Sequence, residues 1–102
     1  MRFFGLKNCD TCRKALASIR ADGGQPVVID VRSDGVAEAD LKRFVAAFGD
    51  AIVNRRSTTW RGLSDAERAG DALTLLKAHP TLMKRPVIEN DDGALSLGWP
   101  RN

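Results

Sequence analysis

The start of the chain decides the fold, in the stretch Phe3–Lys14 with the sequence FFGLKNCDTCRK. A short apolar strand leads into a loop, the loop ends in Cys-x-x-Cys, and a helical pattern begins at once. Cys9 therefore lies at the entrance of a helix, where unpaired backbone N–H groups and the helix dipole favour an anion. Because the thiolate is the reactive form of cysteine, this stretch predicts thiol chemistry.

A second strand follows the first helix. The helix is predicted from apolar residues at the spacing of one buried face, namely Cys12, Ala15, Leu16 and Ile19. The run Val27–Val31 is continuous and almost entirely β-branched, which predicts a strand buried on both faces. Strand, helix and strand within about thirty residues form a βαβ unit, so the two strands are expected to be parallel.

The middle of the chain is predicted to be helical. One apolar stripe runs from Leu41 to Phe48 and stops at Gly49, and a short buried turn follows at positions 52 and 53. Ser64–Glu67 matches a capping box that opens another helix. That helix is expected to end at His79, because Pro80 disfavours the helical conformation of the residue before it.

The end of the chain is predicted to return to the sheet. Strands are expected at Pro86–Glu89 and Ala94–Leu97, and the short turn between them makes the pair an antiparallel hairpin. Neither half of the chain has enough core alone. We therefore predict a single domain over residues 1–102 with a helical insertion over residues 37–82.

Composition excludes several classes of function. The 102 residues carry a net charge of +3, and their basic residues are interspersed with acidic ones, so no direct nucleic-acid contact is predicted. No apolar run is long enough to span a bilayer, and the N-terminus does not resemble a signal peptide. These features predict a cytoplasmic protein with no membrane contact. In that compartment, two cysteines three positions apart indicate redox chemistry or a metal site.

The cysteine pair favours redox chemistry over metal. One helical turn brings Cys12 onto the face of Cys9, which suits an attacking thiol, Cys9, and a resolving thiol, Cys12. The alternative is two unrelated cysteines, with Cys12 simply in the core. A zinc site needs four ligands and only His79 remains as a nitrogen donor, so no metal is predicted.

Two other segments contain candidate ligand-binding residues. Pro86 directly precedes a strand near the thiol, and Arg85 beside it could bind an oxyanion or carboxylate as a fork. The alternatives are a trans proline and a surface arginine. The polar stretch Asn54–Arg61 contains three arginines and one tryptophan, and loops of this kind often bind ligands. His79, Trp60 and Trp99 are interpreted as structural residues.

Together these segments resemble the ArsC-like family, which comprises glutaredoxin-type arsenate reductases, Spx and YffB-like proteins. The resemblance covers nearly the whole chain, in the motifs at residues 5–15, 54–61 and 79–87. It implies an α/β, thioredoxin-like fold with a mixed four-stranded sheet, and it implies that Pro86 is the family's cis-proline. The residues of the first two motifs are most similar to those of the YffB branch.

The resemblance also implies a function, that of a thiol-disulfide oxidoreductase. Cys9 matches the family's nucleophile, and Arg56 and Arg85 match two of three arginines that line the arsenate reductase anion site. Glutathione is the implied co-substrate, glutathione or glutaredoxin the implied electron donor, and a small oxyanion or a disulfide the implied substrate. No tightly bound cofactor is expected. Residues predicted to bind substrate or glutathione are Lys7, Asn8, Thr11, Arg56, Arg85 and Pro86.

The sequence departs from the family pattern at three places. Gly98 stands near the position of the third arginine, although Arg101 follows closely, so arsenate reduction is not itself implied. Cys12 is a departure toward Spx, whose Cys-x-x-Cys pair acts as a redox switch in a regulator that binds RNA polymerase; this is the alternative function. Relatives usually continue into a last helix, which is expected to be absent here.

Overall fold

The computed structural model describes residues 1–100, and its elements fall into two compact units. The first comprises Met1–Gly35 and the segment that begins at Arg85, and the second comprises Val36–Lys84. The predictions that concern Arg101 and a last helix lie outside the described residues. Each unit is described separately.

The first unit contains a four-stranded mixed sheet with one helix. Its elements are β1 (Arg2–Gly5), α1 (Asp10–Ala21), β2 (Val27–Asp30), β3 (Val87–Glu89) and β4 (Leu95–Leu97). The strand order is β2-β1-β3-β4, with β1 parallel to β2 and antiparallel to β3, and with β3 and β4 antiparallel. The predicted βαβ unit, hairpin and mixed sheet are therefore confirmed.

The core of this unit lies between α1 and the sheet. Phe3 in β1 has Val28 and Ile88 as its register partners, and its ring is 1% exposed. The cluster around it consists of Phe3, Cys12, Ala15, Ile19 and Ile88, with Met1, Cys9, Leu16 and Trp99 packed against it. Trp99 is thus a packing residue, as predicted, and both cysteines belong to the core side of α1.

One prediction about β2 is wrong. The β-branched run indicated a strand buried on both faces, but Val27 is 62% and Val28 is 41% exposed. The reason is that β2 lies at the edge of the sheet and has only one neighbouring strand, β1. Side chains at an edge are covered less completely than those of a central strand. Burial is complete only beyond this pair, at Asp30 and Val31.

The second unit is helical, and its main helices and turns follow the predicted pattern with two differences. It contains α2 (Glu38–Phe48), a 3₁₀ turn (Gly49–Ile52), α3 (Thr58–Arg61), α4 (Asp65–Arg68), α5 (Ala72–Ala78) and a second 3₁₀ turn (Pro80–Leu82). The stretch Asn54–Arg61 was predicted to be a loop, yet it contains α3, because the Ser57 hydroxyl accepts the Trp60 N–H at 3.1 Å and caps a short helix.

The helix predicted from Ser64 to His79 is two helices. The capping box is present, with Ser64 and Glu67 bonded reciprocally, but α4 ends at Arg68. Gly70 follows, and the Asp71 carboxylate accepts the Thr74 N–H at 2.7 Å, which starts α5 afresh. The predicted end before Pro80 is confirmed. His79 lies just after α5, where Nε2 is 3.2 Å from a Glu67 carboxylate oxygen.

Candidate active site

Cys9 is the N-cap residue of α1, as the sequence predicted. Its backbone is extended, with φ −97° and ψ 118°, and its carbonyl accepts the Arg13 N–H at 3.0 Å. The first turn of α1 therefore places unpaired N–H groups next to the Cys9 sulfur, and no side chain caps the helix. The half-buried thiol occupies the place at which a helix binds an anion best.

Several groups shift the pKa of the Cys9 thiol. Burial raises the pKa, but the Cys12 backbone N–H, the Cys12 thiol and the Arg85 guanidinium lower it, and the net pKa lies below its ordinary value. Hydrogen bonds and positive charge favour the thiolate directly, whereas half-burial penalises it only in part. Cys9 thus has the environment of a reactive cysteine.

Cys12 has the opposite environment. It is 3% exposed, and burial together with the neighbouring Cys9 raises the pKa of its thiol to about 11. At neutral pH, Cys12 is therefore a neutral S–H group that can donate a hydrogen bond to the Cys9 thiolate. The two thiols thus differ in the direction of their pKa shifts, and the division into an attacking Cys9 and a resolving Cys12 stays a prediction.

Arg85 and Pro86 lie in the same unit as the cysteines. The Arg85–Pro86 peptide bond is cis, as the family resemblance implied, and Pro86 is buried. The Pro86 carbonyl accepts the Gly98 N–H at 2.8 Å, which fixes the turn before β3. The Arg85 guanidinium lowers the pKa of the Cys9 thiol both by its charge and by a hydrogen bond.

The remaining predicted binding residues of this unit surround the thiol in sequence and are exposed. They are Lys7 and Asn8 in the loop and Thr11 in the first turn of α1. The structure adds two residues that the sequence did not single out. The buried carboxylate of Asp30 accepts the Lys7 N–H at 3.3 Å, and Arg13 Nε donates to the Lys7 carbonyl at 3.0 Å.

Arg56 belongs to the second unit, where it lines a basic cavity of about 420 Å³. Lys84 lines the same cavity. It is held there because a short antiparallel bridge pairs Val53 with Met83, and because the Lys84 N–H donates to the Ile52 carbonyl at 2.7 Å. Arg55 is the third cation of the wall, with Asp50 as a distant ion-pair partner at 4.0 Å. This cavity has the charge to hold an anion.

Trp60 stabilises the segment that carries Arg56. Arg55 and Arg68 both lie over its ring, at 5.6 and 5.8 Å from the centroid. Arg68 also donates to the carbonyls of Trp60 and Arg61, at 3.2 and 2.9 Å, and so closes the end of α3. The structural role predicted for Trp60 is confirmed.

No group of three or more His, Cys, Asp or Glu side chains among residues 1–100 could hold a metal ion. In the same range, no helix has the length and apolar character required to cross a bilayer.

Replacing Arg85 by methionine is expected to raise the pKa of Cys9 toward its ordinary value, because one hydrogen bond and one positive charge that favour the thiolate are lost. Ultraviolet thiolate absorbance as a function of pH measures this pKa. Arg20→Met, in the last turn of α1, is the matched control and should leave the pKa unchanged.

Comparison with known proteins identifies the family. The model of the ArsC family matches residues 4–102. An uncharacterized protein of Haemophilus influenzae is 40% identical over 97 residues, which cover 90% of this chain and 85% of that protein. An arsenate reductase of Rhizobium meliloti is 30% identical over 86 residues, which cover 78% of this chain and 61% of that protein.

Solved structures agree with this assignment. A protein named YFFB has a TM-score of 0.83 at 30% identity, with 95% of this chain and 89% of that chain covered. An arsenate reductase-related protein from Brucella melitensis has a TM-score of 0.74 at 34% identity, with 97% and 88% covered. The mixed sheet and its helices are the thioredoxin-like fold of these structures. By its sequence and its fold, this chain belongs to the ArsC family.

Proposed function

We propose that this protein is a glutathione-linked thiol-disulfide oxidoreductase in which Cys9 is the nucleophile. The observation that carries the proposal is the position of Cys9 at the N-terminus of α1, with the Arg85 guanidinium and the Cys12 S–H as further donors to its sulfur. A reductase of disulfides needs a thiolate near neutral pH, and these groups favour that form. Membership of the ArsC family supports an oxidoreductase of the arsenate reductase-like type.

The first step is attack of the Cys9 thiolate on a substrate disulfide. A bond forms between the Cys9 sulfur and one substrate sulfur, the substrate S–S bond breaks, and the departing thiolate takes up a proton from water. Arg85 is proposed to hold an anionic group of the substrate or a glutathione carboxylate beside the reacting sulfur. Lys7, Asn8, Thr11 and Pro86 are proposed to line the approach to the thiol.

The second step regenerates Cys9. A first glutathione thiolate attacks the Cys9 sulfur of the mixed disulfide and releases the second substrate thiolate, which leaves Cys9 as a glutathione adduct. A second glutathione thiolate attacks the glutathione sulfur of that adduct, so oxidised glutathione leaves, the Cys9 thiolate is restored, and the two glutathione molecules supply the two electrons. Cys12 can resolve the adduct instead, with formation of a Cys9–Cys12 disulfide that glutathione or glutaredoxin then reduces. The cytoplasm, predicted from the sequence, would supply these reductants.

Anion binding is also proposed for Arg56, from the family motif and from the charge of the cavity that it lines. Arg56 and Lys84 have no ion-pair partner among residues 1–100, so their charges are available to a ligand. A small oxyanion or a carboxylate of glutathione fits this chemistry.

Intact mass spectrometry in buffers of defined reduced-to-oxidised glutathione ratio tests the proposal. We expect a single glutathione adduct that peptide mapping assigns to Cys9, both in the natural protein and in Cys12→Ser. Absence of any adduct at every ratio would refute the glutathione link. A Cys9–Cys12 disulfide in the natural protein together with no adduct in Cys12→Ser would favour the Spx-like redox switch, which co-purification with RNA polymerase would then examine.

A further inference from the structure

Asp30 is the only buried charged side chain among residues 1–100, and the reaction proposed above does not use it. It is the last residue of β2 and the register partner of Gly5, the last residue of β1. Because β1 and β2 are parallel, the loops that follow them lie at the same edge of the sheet. Asp30 therefore lies beneath the loop that leads to Cys9, and Lys7, Cys12 and Asp30 line one cavity of about 180 Å³.

The two carboxylate oxygens of Asp30 have different partners. Oδ1 accepts the N–H groups of Arg32 and Ser33, both at 2.9 Å, within the turn after β2. Oδ2 accepts the Lys7 N–H at 3.3 Å, across 23 positions of sequence. One oxygen holds the turn that follows β2, and the other holds the cysteine loop.

Arg13 bonds the other backbone group of Lys7, its carbonyl. Its Nε donates to the Lys7 carbonyl at 3.0 Å, while its Nη1 lies 3.4 Å from the Asp10 carboxylate. The N–H and the carbonyl of Lys7 are thus both bonded, one to the sheet and one to α1. Only Asn8 then separates this fixed residue from Cys9, whose own N–H donates to the Leu6 carbonyl at 3.3 Å.

We infer that Asp30 and Arg13 are positioning residues that clamp Lys7 and so hold the Cys9 sulfur at the N-terminus of α1. The inference rests on the proposed role of Cys9 as the nucleophile. A thiolate gains from helix N–H donors only while its sulfur stays within hydrogen-bond distance of them. A loop free to move would spend less time in that geometry, and Cys9 would lose part of its reactivity.

Asp30→Asn separates the two tasks of the carboxylate. An amide has one accepting oxygen and one donating NH₂ group. The oxygen should stay with the two N–H groups of the turn, so the NH₂ group faces the Lys7 N–H and that bond is lost. Asp34→Asn is the matched control, because Asp34 accepts the Asp30 N–H at 2.8 Å in the same turn, and the carboxylate that accepts the Lys7 N–H is that of Asp30.

Two measurements read out the clamp. Hydrogen exchange of the Lys7 amide should become about tenfold faster in Asp30→Asn and stay unchanged in Asp34→Asn. The pKa of Cys9, from the pH profile of its alkylation rate, should rise in Asp30→Asn and stay unchanged in Asp34→Asn. The sign is diagnostic, because removal of a nearby negative charge by itself would lower the pKa of a thiol.

Two results would overturn the inference. One is Lys7 exchange that changes no more in Asp30→Asn than in Asp34→Asn, and the other is faster exchange with an unchanged or lower Cys9 pKa. If Asp30→Asn does not fold, the same two measurements on Arg13→Gln test the inference. Lys14→Gln is the control for this variant, because Arg13 and Lys14 are both exposed cations of the same helical turn. Neither readout uses a substrate, so a protein without reductase activity would refute the proposed function and leave this test intact.

Discussion

Replacing Cys9 by serine is expected to slow disulfide reduction by at least about a hundredfold, because Cys12 cannot take over. A thiol with a pKa of about 11 is ionised in only about one molecule in ten thousand at pH 7. A thiolate of higher pKa is also a stronger nucleophile, and its larger rate constant offsets the low ionised fraction by a factor of roughly fifty. Loss of Cys9 removes two causes that raise the pKa of Cys12, but burial, the largest cause, remains.

Cys12→Ser is the matched variant for this prediction. A serine hydroxyl can still donate to the Cys9 sulfur, so adduct formation on Cys9 should stay within about tenfold of the natural protein. Turnover of a glutathionylated peptide, followed with adduct formation by mass spectrometry, measures both variants. Equal losses of turnover would show that glutathione cannot replace Cys12 in resolving the adduct, whereas loss of the Cys9 adduct itself in Cys12→Ser would contradict the assignment of Cys9 as the nucleophile.

The sequence was sufficient wherever a local pattern determines the structure. The entry of α1 at Cys9 follows from an apolar strand, a short loop and an amphipathic helix in immediate succession, and all three are patterns of neighbouring residues. The α2 stripe and its end at Gly49 are local in the same sense. The family motif added Arg85 and the cis form of Pro86, which no local pattern determines.

The exposure of β2 could not be predicted, because it depends on the order of strands in the sheet. Val27 and Val28 have the same β-branched character in a central strand as in an edge strand. Their exposure follows from the position of β2 outside β1 in the order β2-β1-β3-β4. A run of apolar residues indicates a strand, but it does not show how many neighbours that strand has.

Two start signals competed in the second helical segment. The capping box at Ser64 indicated one helix, while Asp71 is an equally good N-cap that lies inside the predicted range. Gly70 before it lowers helix propensity by about 1 kcal/mol relative to alanine, so the chain breaks there. The dipeptide Gly70-Asp71 marks the break in the sequence, but apolar residues continue at helical spacing across it, at Ala69, Ala72, Leu73 and Leu76, and this spacing favours one helix.

Asp30 was missed because its partners are distant in sequence. An aspartate at the end of an apolar run is also a common turn residue, and nothing in the run indicates that one oxygen will accept the Lys7 N–H. The signal that existed was a charged residue inside a segment predicted to be buried. Such a residue requires partners, and the cysteine loop provides one of them.

Replacing Gly5 by alanine is expected to destabilise the fold by about 1–3 kcal/mol, the usual cost of an added group in a packed core. A Cβ at this position would lie 2.9 Å from the Cys12 sulfur and 2.9 Å from the Phe3 ring. Cys12 is 3% and Phe3 is 1% exposed, so neither side chain can turn away into solvent. The change should also displace Cys12 from the Cys9 sulfur and raise the pKa of Cys9.

Chemical denaturation with and without Cys12→Ala tests this packing. Removal of the sulfur eliminates one of the two close contacts, so Gly5→Ala should cost less in the Cys12→Ala background, with a coupling energy of about 0.5 kcal/mol or more. Gly62→Ala is the control, because its Cβ would have no neighbour nearer than 3.6 Å, and its effect should stay within about 0.5 kcal/mol. Equal costs of Gly5→Ala in both backgrounds would contradict this prediction. They would show that the added Cβ does not clash with the Cys12 sulfur, so that α1, and not the absence of a side chain at Gly5, sets the position of the Cys12 thiol.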